Sequence, residues 1–313
     1  RHQPAVSGRP AMDGGRGMLI EDRVDEYIEL KRALGYKFTE QEGTLRRFAQ
    51  FADGHGDTFV TVDRIVQWAS TAPSPRRSAA WLSVVRNFAI TLRAEDDRHD
   101  VPSPDIFGRQ RKRRPRPHIL AQDDISKILE AALEIGPHAS INPYTYHYLF
   151  GLAAVCGLRA SELVNLHMSD LTSDGLLIRE TKFRKTRLVP VHESTRDALR
   201  RYLVLRRKIG GADPHLFVIS TGDPTDRSAI SKRFVQLTRK VGLRGPKGES
   251  GPRFHDLRHS FAVRSFETCG EGADDVRRHM TALSTYLGHA NPHDTYWYLE
   301  ATPKIYRQIA QAA

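Results

Sequence analysis

The chain has 313 residues, 39% of them hydrophobic and 27% charged, a balance that suits folded domains and argues against a fibrous or disordered chain. No apolar run approaches the roughly 20 residues needed to cross a bilayer, and two cysteines, Cys156 and Cys269, are too few for a disulfide framework, which fits a reducing cytoplasm. A formal net charge of +11 favours a polyanionic partner without separating nucleic acid from an anionic membrane surface or a merely basic protein.

Residues 1–17 are rich in Gly, Pro and Arg and are expected to form a disordered leader, with Met18 a candidate start. Four amphipathic helical patterns follow, their apolar residues spaced i, i+3, i+4, i+7. The weakest holds Val24, Tyr27, Ile28 and Leu34. Leu45, Phe48, Ala49 and Ala52 form the second stripe, and Val62, Ile65, Val66 and Ala69 the third. The fourth and longest is Trp81, Val84, Val85, Phe88 and Leu92. Short stripes of this kind need one another to be buried, so a small helical bundle is expected.

Between Val101 and Pro117 the pattern stops. Four prolines exclude regular helix, and Arg109, Arg111, Lys112, Arg113, Arg114 and Arg116 repel one another into an extended form. Such a segment is at least a solvated linker, and it is also suited to lie along a phosphate backbone. Beyond it, Ile125, Ile128, Leu129 and Ala132 mark a helix, and another runs from about Tyr144 to Cys156, stopped by Gly157. GLLIRET (Gly175 to Thr181) and RLVPV (Arg187 to Val191) read as two strands joined by the basic turn KFRK. Helices are expected around Ala198–Leu205, Ile230–Val241, Leu257–Phe266 and Val276–Leu287.

Several side chains carry possible chemistry. Arg159, in GLRASEL, follows a buried helix end and is expected to face an anionic guest or a partner such as Glu162. Lys182 and Lys185 sit in the basic turn, where they could equally be solubilising residues. In HDLRH, the spacing i, i+3, i+4 puts His255, Arg258 and His259 on one helix face, with Leu257 and Phe261 turned the other way. Taken alone, that face could be an anion site, plain surface or half of a zinc site. His289 ends YLGH, and Tyr298, in TYWYLE, stands nine residues further on, where it could also be core filler beside Tyr296 and Trp297.

Read in order, an Arg in GLRxxEL, a Lys in a basic turn before RLVP, HxLRH, LGH and a tyrosine nine residues later resemble the catalytic pattern of the tyrosine recombinase (phage integrase) family. The resemblance covers residues 119–313, and the helical front half is similar to that family's core-binding domain. It implies a mainly α fold with a small antiparallel β-sheet. A helical, SAM-like core-binding domain would occupy residues 18–108, a basic linker 109–118, and a catalytic α+β domain 119–313.

The resemblance also implies a site-specific recombinase that cleaves and rejoins DNA through a 3′-phosphotyrosine, without metal, ATP or other cofactor. Arg159 and Arg258 would grip the phosphate and Lys182 would be the general acid. His255 would accept or orient the tyrosine proton, His289 would donate to the phosphate, and Tyr298 would be the nucleophile. Arg111, Lys112, Arg113, Arg114 and Lys185 are expected to bind DNA. The implied partners are double-stranded DNA with specific recombination sites, three further copies of the chain in a homo-tetramer on two sites, and possible accessory proteins. A monomer off DNA, in the bacterial cytoplasm and nucleoid-associated when acting, is expected, with no membrane partner. A type IB topoisomerase-like enzyme and a DNA-binding protein that no longer cuts are the alternatives.

Overall fold

The computed structural model describes residues 19–108, 117–137, 140–179, 186–209, 213–270 and 272–289, together with Asn291, Thr295 and Tyr298. The chain divides into two compact units between residues 114 and 115.

The first unit is built from α1 (Ile20–Ala33), α2 (Thr39–Asp53), α3 (Val62–Ser70) and α4 (Pro75–Glu95). Local chemistry starts α3 and α4. The Thr61 hydroxyl accepts the Arg64 N–H at the start of α3, and Pro75 occupies the first turn of α4, where a missing N–H costs nothing. The opening of α1 is capped from outside: the N–H groups of Ile20 and Glu21 donate to the Asp53 carboxylate, at 2.9 and 3.1 Å. The expected stripes become one core containing Tyr27, Leu45, Phe48, Ile65, Val85 and Phe88. Trp68 and Trp81 stack within it, ring centres 4.7 Å apart. Leu34 departs from its expected place. The helix ends at Ala33, Gly35 turns the chain with φ at 84°, and Leu34 is left exposed while Ile20 fills the core instead. Behind the bundle His99 is wholly buried, its Nδ1 accepting the Val60 N–H at 3.0 Å.

The second unit contains α5 (Gln122–Leu133), α6 (Asn142–Cys156), α7 (Ala160–Val164), a 3₁₀ turn at Met168–Asp170, β1 (Leu176–Ile178) and β2 (Arg187–Val189). Then come α8 (Glu193–Lys208), α9 (Arg227–Lys240), α10 (His255–Glu267) and α11 (Ala273–Leu287). Helix α6 is apolar on every side, as a helix enclosed by others must be, and α5, α8 and α10 pack around it. The strands pair antiparallel, with Leu176 opposite Val189 and Ile178 opposite Arg187. They are shorter than the β-rich runs suggested, and the turn joining them lies outside the described residues. The fold is thus mainly α with a small antiparallel sheet, as expected. Among the described residues no helix is long and apolar enough to cross a membrane. One long-range bond ties the start of this unit to α10: the Leu120 N–H donates to Ser260 Oγ at 2.8 Å, and that hydroxyl donates onward to the Asp256 carbonyl.

Candidate active site

The site forms where α6, α10 and α11 meet. Helix α6 stops at Gly157, which adopts the left-handed conformation (φ 61°) and lies so close to Phe261 that a Cβ would stand 2.6 Å from its ring. Only glycine satisfies both demands. Two residues later Arg159 caps the N-terminus of α7, and its backbone N–H donates to Glu162 Oε2 at 2.9 Å. Its guanidinium donates to Glu162 Oε1 at 2.9 Å, so the acid partner expected for Arg159 is present.

Arg258 projects from α10 and is 2% exposed. It donates to the Gly157 carbonyl at 2.7 Å and to the Leu287 carbonyl at 2.8 Å, binding the ends of α6 and α11 together. Arg159 reaches the same end of α11, donating to Leu287 at 3.2 Å and Gly288 at 3.0 Å. The final carbonyls of a helix have no intrahelical donors and carry its partial negative charge. Two guanidinium groups converge on them. Burial, then the neighbouring charge of Arg159, lowers the Arg258 pKa to about 10, which still leaves it cationic at neutral pH.

His255 and His259 stand beside Arg258, ring centres 4.6 Å apart. His255 opens to solvent on one side and is crowded by protein on the other. Desolvation, followed by the charges of His259 and Arg258, brings its pKa down to about 4. Desolvation and the charges of Arg253 and Arg258 do the same to His259. Both rings are therefore neutral at physiological pH and able to accept a proton. The Tyr298 ring lies 5.5 Å from His259 and 6.0 Å from His289, nearly parallel to the latter. His289 is held by Thr295, with Nδ1 and Oγ1 2.7 Å apart. Tyr298 is 3% exposed and packs with Phe266, Leu283 and Leu287.

Arg159, His255, Arg258, His289 and Tyr298 thus come together from four separate stretches of chain. Lys182, Lys185, Arg111, Lys112, Arg113 and Arg114 lie outside the described residues. His259 is the ring nearer Tyr298, although the sequence reading left it out of the expected set. Its signal was its place on the His255 and Arg258 face. Arg187 was also overlooked. It opens β2, forks onto Glu162 and donates to the Tyr286 carbonyl, a role that strand periodicity does not announce. Tyr286, three residues before His289, is occupied otherwise. It stacks on Phe261 and hydrogen-bonds Cys156, and burial raises the pKa of its phenol well above the ordinary value.

Residues 118–304, which hold this whole cluster, match the model of the phage integrase family. The chain belongs to that family. Integrase/recombinase y4rB of Sinorhizobium fredii is 39% identical over 296 residues, covering 91% of this chain and 94% of the relative. Tyrosine recombinase XerD of Brucella abortus is 32% identical over 235 residues, 72% of each chain. The fold is shared with a lambda integrase tetramer bound to a Holliday junction (TM-score 0.65, 16% identity, 90% of this chain and 78% of that one). It is shared also with the XerH recombinase on its difH substrate (TM-score 0.62, 17% identity, 93% and 84%). As a phage integrase family member the chain is a tyrosine recombinase, and site-specific recombination by cutting and rejoining DNA is the activity this family carries.

Proposed function

We propose that the chain cleaves and rejoins double-stranded DNA at specific sites through a covalent 3′-phosphotyrosine at Tyr298. The observation that carries this reading is the convergence of Arg159 and Arg258 on the end of α11, beside three histidines and the Tyr298 ring. An in-line attack on a phosphodiester builds negative charge on the non-bridging oxygens. Guanidinium groups that stay cationic at neutral pH offset that charge, with no metal or nucleotide required. Among the described residues Arg258 hydrogen-bonds the Gly157 and Leu287 carbonyls and no carboxylate.

The Tyr298 oxygen attacks phosphorus, and its proton passes to a neutral imidazole, His259 or His255. His289, positioned by Thr295, donates to the phosphate. Lys182 protonates the leaving 5′-oxygen, so the products are a tyrosine ester at the 3′ side and a free 5′-hydroxyl. That ester retains the phosphodiester's energy, and a new 5′-hydroxyl reverses the step without ATP. The helical unit and the catalytic unit would grip the duplex together. Residues 109–118, with Arg111, Lys112, Arg113 and Arg114, would follow the phosphates, and Lys185 would add a contact. Exchange between two sites requires four cleavages, which a tetramer supplies.

A nicked suicide duplex carrying the native flanking DNA tests the reading. We expect a covalent protein–DNA adduct whose linked peptide contains Tyr298. Tyr298→Phe should form no adduct while binding DNA normally, and Tyr296→Phe should still form it. An adduct surviving in Tyr298→Phe, or mapped to Tyr296 or Tyr286, would overturn the assignment.

A further inference from the structure

Arg187 occupies a position that the reaction scheme leaves unused. Its side chain is 14% exposed, and two of its nitrogens fork onto one carboxylate, Nη1 to Glu162 Oε1 at 2.9 Å and Nη2 to Oε2 at 3.0 Å. Its third nitrogen, Nε, donates to the Tyr286 carbonyl at 2.9 Å, one residue before the carbonyl that Arg159 and Arg258 share. Gly288 closes against it. A Cβ there would stand 2.9 Å from Nη1 and 3.1 Å from Cζ, on a residue whose φ of 65° already favours glycine. A carboxylate shared by two arginines, a third cation nearby in Arg258 and a helix end on the same cations form one connected frame.

We propose that Arg187 is a positioning residue of the cleavage reaction: through Glu162 it aims the Arg159 guanidinium, and through the Tyr286 carbonyl it holds the end of α11 in register with that guanidinium. This rests on the reading of Arg159 as a phosphate ligand. The fork fixes the Glu162 carboxylate in a plane, as a lysine point charge would not. It also satisfies most of that carboxylate's charge. Burial would raise the Glu162 pKa, yet Arg187, with Arg159, more than offsets it and keeps the group ionised. Without Arg187, the buried carboxylate would be left chiefly to Arg159. It would then take up a proton more readily, and the Arg159 guanidinium would lose the anion that aims it.

The test is single-turnover cleavage of a nicked suicide duplex by the full chain, followed from about pH 5.5 to 8.5, with DNA affinity measured in parallel. Arg187→Met should cleave about 100-fold more slowly while binding DNA with little change. Its rate should also fall as pH falls, a limb absent from the wild type, because Glu162 without the fork takes up a proton more readily. Adding Glu162→Gln to Arg187→Met should remove that limb. A wild-type rate in Arg187→Met, or a slow rate with the wild-type pH profile, would overturn the proposal. Should Arg187→Met not fold by circular dichroism, Arg187→Lys decides. It keeps the charge and breaks the fork, so a rate about 10-fold down at unchanged melting temperature is expected, and a wild-type rate overturns the proposal. Arg159→Ala separates the two levels. If it cleaves normally, the phosphate-binding reading fails. If it is inactive while the Arg187 variants are normal, only the positioning role fails.

Discussion

Phe48, Phe88 and the stacked pair Trp68 and Trp81 hold the first unit by apolar and ring contacts. In the second unit the buried Arg206 and Arg258 donate to main-chain carbonyls, as do the half-buried Arg159, Arg244 and Arg264. Similar bonds in the first unit, Arg86 to Pro102 and Arg93 to His99, come from partly exposed side chains. A bundle that need only be compact can rely on hydrocarbon. In the second unit Arg159 divides its donors between the Glu162 carboxylate and the Leu287 and Gly288 carbonyls, while Arg258 is held by the Gly157 and Leu287 carbonyls. Carbonyl oxygens hold a guanidinium in place and leave its net charge intact. The end of α11, with its unsatisfied carbonyls, is suited to that role.

The contrast is broken most severely at Arg258. Arg258→Lys keeps a positive charge but cannot reach two carbonyls and a phosphate at once. We expect adduct formation to slow by roughly 10² to 10³, measured in single turnover, the usual cost of losing one such donor. Melting temperature should drop as well, since a buried carbonyl left without its donor costs about 1 to 3 kcal/mol. A rate within a few-fold of wild type would reduce Arg258 to a structural strut.

In the first unit the balance should reverse. Phe88→Ala opens a cavity beside Tyr27 and should cost about 3 to 5 kcal/mol in chemical denaturation. Its folded fraction, assayed cold at saturating DNA, should cleave at the wild-type rate. A large loss of rate there would show that the helical unit takes part in the chemistry.

The smallest effect sharpens the comparison from the polar side. Burial, then the charge of Arg23, lowers the His99 pKa below its ordinary value, against the weaker pull of Asp96. A base whose folded pKa is depressed adds no penalty above its unfolded pKa, near 6.5. As pH falls below that value, the unfolded chain takes up a proton that the folded one refuses, so stability declines until the folded pKa is passed. His99→Asn keeps an acceptor for the Val60 N–H and cannot be protonated. Between about pH 7.5 and 5 its unfolding midpoint should therefore fall less than the wild type's. Equal falls would show that His99 is not the titrating group.

Helices were legible because burial leaves a period. Leu45, Phe48, Ala49 and Ala52 are spaced for one face and all four are buried. Leu34 misled because an apolar residue at a helix end looks the same in a pattern whether the chain turns it in or out. In the site, HDLRH announced its shared face by spacing alone. Arg187 did not, since a strand arginine bound to a glutamate twenty-five residues earlier leaves no mark at short range. Glu162 was visible only as the partner of Arg159, and its second arginine came from the folding of the hairpin.

The bond between Leu120 and Ser260 can also be viewed mechanically. Leu120 is among the first described residues of the second unit, and Ser260 is the immediate neighbour of His259 on α10. The same hydroxyl is anchored to the Asp256 carbonyl one turn back, so the joint bears on the helix backbone rather than on a loose side chain. Leu120 is thus fastened to the middle of α10. The joint stands one residue from His259 and two from Arg258 along the helix.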